Sequence, residues 1–133
     1  MKENIKRWII KALEDLKIAK HELTFPEKEI ASGPVCFHCQ QAIEKLLKAY
    51  LVFKNTEFGK THDLIYLLEL CAKHDKDFKN QNIGNLNNYS VDIRYPDEFY
   101  TPTVKEAKAA YEIAQKIKEY ILKKFNIKED DLK

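Results

Sequence analysis

Three long stretches of this chain carry apolar residues at alternating intervals of three and four positions, the repeat of one face of an α-helix. In the first stretch these residues are Ile5, Ile9, Ala12, Leu16, Ala19 and Leu23. The chain has only 3 Gly and 4 Pro, too few turn residues for the many turns of an all-β fold. The pattern predicts an all-α fold, an up-and-down bundle of four to five antiparallel helices.

Start and stop signals divide the chain into five predicted helices. The first spans 3–24, the second 34–54 and the fourth 83–93. The third is expected to begin after Thr61 as its N-cap, with Asp63 in the first turn. The fifth opens with Thr103 and Glu106 in the pattern of a capping box. The second helix is apolar over a wide arc, which predicts a central position in the bundle, whereas the Gly and Asn content of 83–93 gives the weakest helical pattern.

Length and charge limit what the chain can be. Its 133 residues contain no linker or repeat, so we expect one domain over 1–133, with a core over about 5–124 and a charged, frayed tail at 126–133. The formal net charge of +2 gives no support for nucleic-acid binding through bulk charge. No apolar run reaches membrane-spanning length and the N-terminus lacks a signal-peptide pattern, so a cytoplasmic protein without membrane contact is expected.

The cysteines lie where a core residue is expected. Cys36, His38 and Cys39 resemble a fragment of a metal site, but zinc takes about four ligands and the sequence offers no second Cys/His pair. Cys36 and Cys39 fall on the apolar stripes of the second helix, and Cys71 falls on the buried face of the third. We therefore expect reduced, buried cysteines, no metal and no cofactor.

Two places on the predicted helices could bind an anion. His38, Lys45 and Lys48 share the polar face of the second helix, and such a face is more often simply solvated. His62 follows the expected N-cap of the third helix, where free backbone N–H groups can hold an anion. A histidine at that position is also often a capping or packing residue.

Arg94-Tyr95-Pro96 forms a third candidate, at the predicted end of the fourth helix. The planar fork of an arginine suits phosphate or carboxylate, and an adjacent aromatic ring can stack on a base. Equally, Arg94 could pair with Asp92 or Asp97 while the aromatic residues cover the bundle. Both interpretations remain open on residue types alone.

These segments, in this order, resemble the HEPN family of small helical-bundle domains. The resemblance covers about residues 5–120 and depends most on the string Cys39-Gln40-Gln41-Ala42-Ile43-Glu44-Lys45-Leu46-Leu47-Lys48-Ala49, followed by Thr61-His62-Asp63-Leu64 and Arg94-Tyr95-Pro96. It implies a four- or five-helix bundle, commonly a homodimer, often with a nucleotidyltransferase as partner. Some members of the family act as metal-independent ribonucleases or toxins, and others have been proposed to bind nucleotides.

The sequence departs from the ribonuclease motif of that family, in which an arginine is followed a few residues later by a histidine. Arg94 would be the arginine, but the window for the histidine holds Phe99 and Tyr100, and no His occurs after His74. Cleavage of RNA needs a general acid and base that work near neutral pH, a role that suits histidine and not an ordinary tyrosine.

The resemblance therefore implies a noncatalytic module that binds a nucleotide or RNA, or another phosphate-bearing ligand, through Arg94 and Tyr95. Such a module would work with a nucleotidyltransferase partner in a system of the toxin–antitoxin type. The further candidate ligand-binding residues are His62, Lys45 and Lys48. The alternatives are a degenerate ribonuclease that uses His62 or Tyr100 for proton transfer, and a purely structural protein-interaction bundle.

Overall fold

Four α-helices form the frame of the computed structural model, in which residues 1–90 and 100–132 are described. α1 spans Glu3–Leu23, α2 Ser32–Phe53, α3 Leu64–Ala72 and α4 Val104–Lys124. Short 3-10 helices lie at Glu27–Glu29, Lys76–Asn80, Leu86–Tyr89 and Glu129–Leu132. The described residues include no strand, which confirms the all-α bundle. None of their helices is long and apolar enough to cross a membrane.

α2 is the central helix, as its wide apolar arc predicts, and it contacts α1, α3 and α4. Its buried apolar residues, each at most 3% exposed, are Val35, Cys36, Cys39, Ala42, Ile43, Leu46, Leu47, Ala49, Tyr50 and Leu51. Burial of each large apolar side chain stabilises the fold by roughly 1.5–3 kcal/mol. α2 and α4 begin at the same end of the bundle, where the Ser32 hydroxyl donates to the Pro102 carbonyl.

α1 runs antiparallel to α2. Trp8, near the start of α1, lies beside Lys48 in the second half of α2, with the ammonium 5.8 Å from the ring centroid. Asp15, further along α1, contacts His38 near the start of α2. This pairing turns the polar side of α2 towards α1, and that arrangement creates the candidate site.

The connection between α2 and α3, residues 54–63, carries the chain back beside α1. α3 therefore starts level with the middle of α2, where His62 contacts Glu44. It then advances in the direction of α2, since the Cys71 thiol reaches the Leu47 carbonyl. This course places the loop before α3 against the polar side of α2.

The predicted N-cap of α3 is wrong by two residues. α3 begins at Leu64, and the Asp63 carboxylate accepts two backbone N–H groups of the first turn at 3.0 and 3.3 Å. Thr61 instead accepts the N–H of Asp63 through its hydroxyl oxygen at 3.1 Å. A carboxylate that accepts two amides at a helix N-terminus is the stronger cap. His62 consequently lies before the helix and not in its first turn.

The predicted helix over 83–93 is wrong within its described part, which contains only the 3-10 helix Leu86–Tyr89. Gly84 has a positive φ of 51°, and its N–H donates to the Asn82 side chain at 2.8 Å. The Asn87 side chain accepts the N–H of Leu64 at 2.7 Å. These side-chain bonds compete with helical ones, which the composition of this stretch already disfavours. Positions 91–93 lie outside the described residues.

Both ends of α4 have side-chain support. Thr103 and Glu106 form the predicted capping box, so the start of this helix is confirmed. At the other end, the tail that was expected to fray forms the 3-10 helix Glu129–Leu132. Lys118 pairs with Glu129 and Leu132 packs against the core, so the tail is held against the bundle over these four residues.

Candidate functional site

A polar seam lies between α1, α2 and the loop before α3. We define it as Asp15, His38, Gln40, Gln41, Glu44, Lys45, Lys48 and His62. Four members are almost inaccessible: Gln40 is 0% exposed, Glu44 3%, Lys48 6% and Asp15 7%. The expectation of a solvated polar face on α2 is therefore wrong. α1 and the loop cover this face, and the charged groups within it compensate one another.

Asp15 anchors one half of the polar seam. Its Oδ1 accepts a hydrogen bond from His38 Nδ1 at 2.8 Å, and its Oδ2 accepts one from Lys45 Nζ at 2.6 Å. The carboxylate thus joins a residue of α1 to two residues of α2. The sequence of α1 alone does not link Asp15 to α2, and only its neighbours in space identify it as a buried ion-pair partner.

Glu44 anchors the other half. Its Oε1 contacts His62 Nδ1 at 2.9 Å, and its Oε2 accepts from Lys48 Nζ at 3.0 Å. Gln40 Nε2 donates to the backbone carbonyl of His62 at 3.0 Å, which holds the loop before α3 against α2. Glu44 and Lys48 lie four residues apart on one helix, the spacing at which such pairs meet.

The lysines of the polar seam are committed to partners. Lys45 is paired with Asp15 and Lys48 with Glu44, so the two ammonium charges cancel the two carboxylate charges. The Lys48 ammonium also lies 5.8 and 5.5 Å from the ring centroids of Trp8 and Phe58, within cation–π range. A phosphate could use these lysines only after disrupting a buried ion pair, which is costly. Their geometry favours a structural role.

The two histidines of the polar seam share one orientation. In both, Nδ1 faces a carboxylate, and no described residue forms a hydrogen bond with Nε2. The side chain of His38 is 25% exposed and that of His62 is 37% exposed. A carboxylate at Nδ1 fixes the ring orientation and points Nε2 outward, as in histidines that act as general bases or metal ligands.

A second polar cluster lies at the start of α4, next to the undescribed segment. The Glu106 carboxylate accepts the hydroxyl of Tyr89 at 3.0 Å and the hydroxyl of Tyr100. The hydrogen bond to Glu106 raises the pKa of Tyr100, and burial raises the pKa of Tyr89. The same bond from Tyr100 lowers the pKa of Glu106. Tyr100 therefore stays protonated and donates a hydrogen bond to a carboxylate, which makes it unsuitable as a general base.

The three cysteines are buried and free, as their positions on the apolar stripes predict. Burial raises the pKa of Cys36 to about 11 and the pKa values of Cys39 and Cys71 to about 12, which makes the thiolate rare and the thiols unreactive. Within residues 1–90 and 100–132, no group of three or more His, Cys, Asp or Glu side chains could hold a metal ion.

Arg94 and Tyr95, the leading candidates from the sequence, lie outside the described residues, together with Pro96, Asp92 and Asp97. The structure brings His62, Lys45 and Lys48 into the polar seam. The seam also contains Asp15, Gln40, Gln41 and Glu44, which sequence reasoning did not select as site residues. The Gln-Gln-x-x-Glu spacing on α2 was the available signal for the last three.

Comparison with protein-family models gives a match to the HEPN domain over residues 5–125. This range includes the polar seam, the Tyr89–Glu106–Tyr100 cluster and all of α4. No curated protein and no solved structure matches the chain.

Proposed function

The chain belongs to the HEPN domain family, and from that premise we propose that it is a noncatalytic module that binds a nucleotide or another phosphate-bearing ligand. Arg94 contacts the phosphate with its guanidinium, and Tyr95 stacks on or shapes the ligand's ring. The module works in the cytoplasm as a homodimer, beside a nucleotidyltransferase partner in a toxin–antitoxin type of system.

The observation that carries the noncatalytic assignment is the state of Tyr100. This residue occupies the window in which the ribonuclease motif has histidine, and its hydroxyl donates to Glu106. A tyrosine with a raised pKa does not accept a proton from a ribose hydroxyl near neutral pH. Binding by Arg94 does not depend on that proton transfer, since a guanidinium is always charged.

Isothermal titration of the purified chain with ATP, GTP and a short RNA at low salt tests this proposal. We expect saturable binding by the wild type and a loss of about tenfold or more in Arg94→Ala, the range for a charged hydrogen-bonding partner. Arg7→Ala is the matched control because Arg7 is the chain's other arginine and is exposed on α1. No heat with any ligand, or equal affinity of the two variants, contradicts the proposal.

One observation favours a ribonuclease as the second candidate. The buried Glu44 carboxylate holds His62 with its Nε2 outward, the orientation that a general base requires. In this alternative, His62 transfers the proton and Arg94 stabilises the charge on the phosphate. RNA cleavage by the wild type that is lost in both Arg94→Ala and His62→Ala supports the enzyme. Equal background activity in all three proteins eliminates it.

The assembly is tested separately from ligand binding. Light scattering should give the mass of a dimer, and a monomer mass at micromolar concentration removes the models with a shared cleft. Co-purification with the product of a neighbouring nucleotidyltransferase gene tests the partner. Failure of either experiment leaves the assignment of Arg94 to phosphate intact, since that assignment concerns a single chain.

A further inference from the structure

α3 presents an apolar face to solvent. Of its nine residues, only Glu69 is charged. Leu64, Leu67 and Cys71 are fully buried, and among the α-helices α3 packs mainly against α2. Ile65, on the neighbouring face, is 53% exposed. Since a helix that is apolar all round is normally buried on all sides, this open face has the composition of a surface that another molecule covers.

A groove of about 590 Å³ lies along this face, and we call it the α3 groove. Its apolar lining comes from α3 and from the stretch that follows it: Ile65, Leu68, Ala72, Phe78 and Ile83. The three residues of α3 follow one another at intervals of three and four positions, so they form a second apolar stripe beside the buried one. At a rise of about 1.5 Å per residue, this stripe is roughly 10 Å long, or about two helical turns.

The composition of the lining decides what kind of segment can fill the α3 groove. Among the described residues that line it, Gln81 is the one uncharged polar side chain, and its Nε2 already donates to the Asp77 carbonyl at 3.4 Å. An extended peptide would bury backbone N–H and C=O groups there without partners, which is unfavourable. A helix bonds these groups internally and can lay an apolar stripe of the same length against the groove. The lining therefore favours a helix as the occupant.

The rim of the α3 groove is basic. Lys73 and Lys79 line it, and neither forms an ion pair with a described residue. The carboxylates of Asp75 and Asp77, which lie between them in the chain, both pair with Lys124, at 2.6 and 3.6 Å. An occupant with carboxylates beside its apolar stripe would therefore complement the rim. Such charges fix the orientation and the rate of association more than the affinity.

We propose that the α3 groove binds an amphipathic helix of a partner protein that carries Asp or Glu beside its apolar stripe. The apolar side chains of that helix fill the groove, and its carboxylates face Lys73 and Lys79. Glu69 lies one turn before Lys73 and makes the charge uneven along α3, which favours one direction of the bound helix. The interaction involves no residue of the polar seam and does not depend on Arg94.

Selection from a random peptide library displayed on phage, with the full chain as the target, tests the proposal without a known partner. We expect enriched peptides with apolar residues at intervals of three and four positions and with Asp or Glu beside them. Fluorescence anisotropy of these peptides should show that Ile65→Lys weakens binding by about tenfold or more, and Lys73→Glu/Lys79→Glu by about threefold or more. Tyr66→Ser is the matched control, because Tyr66 is 41% exposed on α3 and does not line the groove.

Two further variants separate this surface from other effects. Lys108→Glu/Lys116→Glu is the control for net charge, since both lysines are exposed on α4 and neither lines the groove. Arg94→Ala should leave peptide binding unchanged, so a failure of this proposal and a failure of phosphate binding at Arg94 give different results. Thermal melting followed by circular dichroism ensures that only folded variants are compared.

Three results overturn the proposal. One is a selection that enriches no peptide, or only peptides that bind the wild type and Ile65→Lys equally. Another is equal weakening by the two pairs of lysine reversals, which indicates attraction by net charge alone. The third is a different occupant. Without an enriched peptide, loss of a dimer in Ile65→Lys by light scattering assigns the groove to a second copy, and loss of binding to phosphatidylglycerol vesicles assigns it to lipid.

Discussion

Replacement of Lys48 by methionine should destabilise the fold far more than the loss of an ordinary surface lysine. The side chains of Lys48 and Glu44 are 8% and 5% exposed, and their ion pair is 3.0 Å long. Methionine keeps the apolar stem that packs beside Trp8 and Phe58, so the change mainly removes the ammonium group. Glu44 is then left as a buried carboxylate without its cation.

Removal of one partner of a buried ion pair costs about 3–5 kcal/mol. We expect a loss near the lower end of this range, because His62 still contacts the Glu44 carboxylate and offsets part of the lost interaction with Lys48. For a domain of this size, about 3 kcal/mol corresponds to a decrease in melting temperature of roughly 10 °C. Glu44→Gln/Lys48→Met removes both charges, and we expect it to recover most of the loss, to within about 1 kcal/mol of the wild type.

Urea denaturation followed by far-ultraviolet circular dichroism measures these free energies of unfolding. Lys11→Met is the matched control, because its pair with Glu14 has side chains 62% and 57% exposed, and such pairs contribute at most about 1 kcal/mol. Equal losses in Lys48→Met and Lys11→Met would refute the account of the polar seam. A double variant that loses as much free energy of unfolding as the two single variants lose together would also refute it.

Three further predictions follow from the described geometry. Ellman's reagent at pH 8 should leave the 3 buried thiols unlabelled in the native chain and react with all of them in guanidinium, since burial raises their pKa values to about 11 or 12. Rapid labelling of the native protein would contradict this. Gly84→Ala should lower the free energy of unfolding by about 1–2 kcal/mol, because φ is +51° and the new Cβ would lie 2.7 Å from Ile113 Cδ1. A Cβ at Gly33 would have no atom within 4 Å, so Gly33→Ala should be neutral or stabilising by up to about 1 kcal/mol. Denaturant melts that rank the two variants in the opposite order would sink this explanation. The pKa of Glu106 is lower in the folded chain, so its carboxylate stabilises the fold above the unfolded pKa and loses that effect as pH falls through the folded pKa. The difference in unfolding free energy between wild type and Glu106→Gln should therefore shrink from pH 7 to pH 3. A difference that grows over this range would contradict the lowered pKa.

The helices that bury a continuous apolar stripe could be predicted from sequence, because the stripe is set by spacing within one segment. α1, α2 and α4 lie within a few residues of their predicted bounds, and the capping box at Thr103 is present as expected. The errors occurred where contacts between segments decide the structure. Asp63 replaces Thr61 as a cap, and the Asn87 side chain bonds to α3 instead of extending a helix.

The polar seam could be predicted only in part, for a related reason. Three of its bonds join residues 18, 23 and 30 positions apart, and no local pattern records which of these polar groups will meet. The spacing of four residues predicts the pair of Glu44 with Lys48, which the structure contains. Lys45 and His62 were predicted only as candidates for binding an anion, and nothing in the sequence connected them with Asp15 and Glu44. The family resemblance located the relevant stretches of chain without assigning these pairs.

The central claim, binding at Arg94 without catalysis, is tested most directly by one gel assay. A short RNA labelled at its 5′ end is incubated with increasing wild-type protein and with Arg94→Ala, and each sample is divided between a native and a denaturing gel. The account predicts a saturable shift on the native gel with the wild type only, and intact RNA on the denaturing gel in every lane. RNA cleaved by the wild type but not by Arg94→Ala, or an equal shift with both proteins, would contradict it.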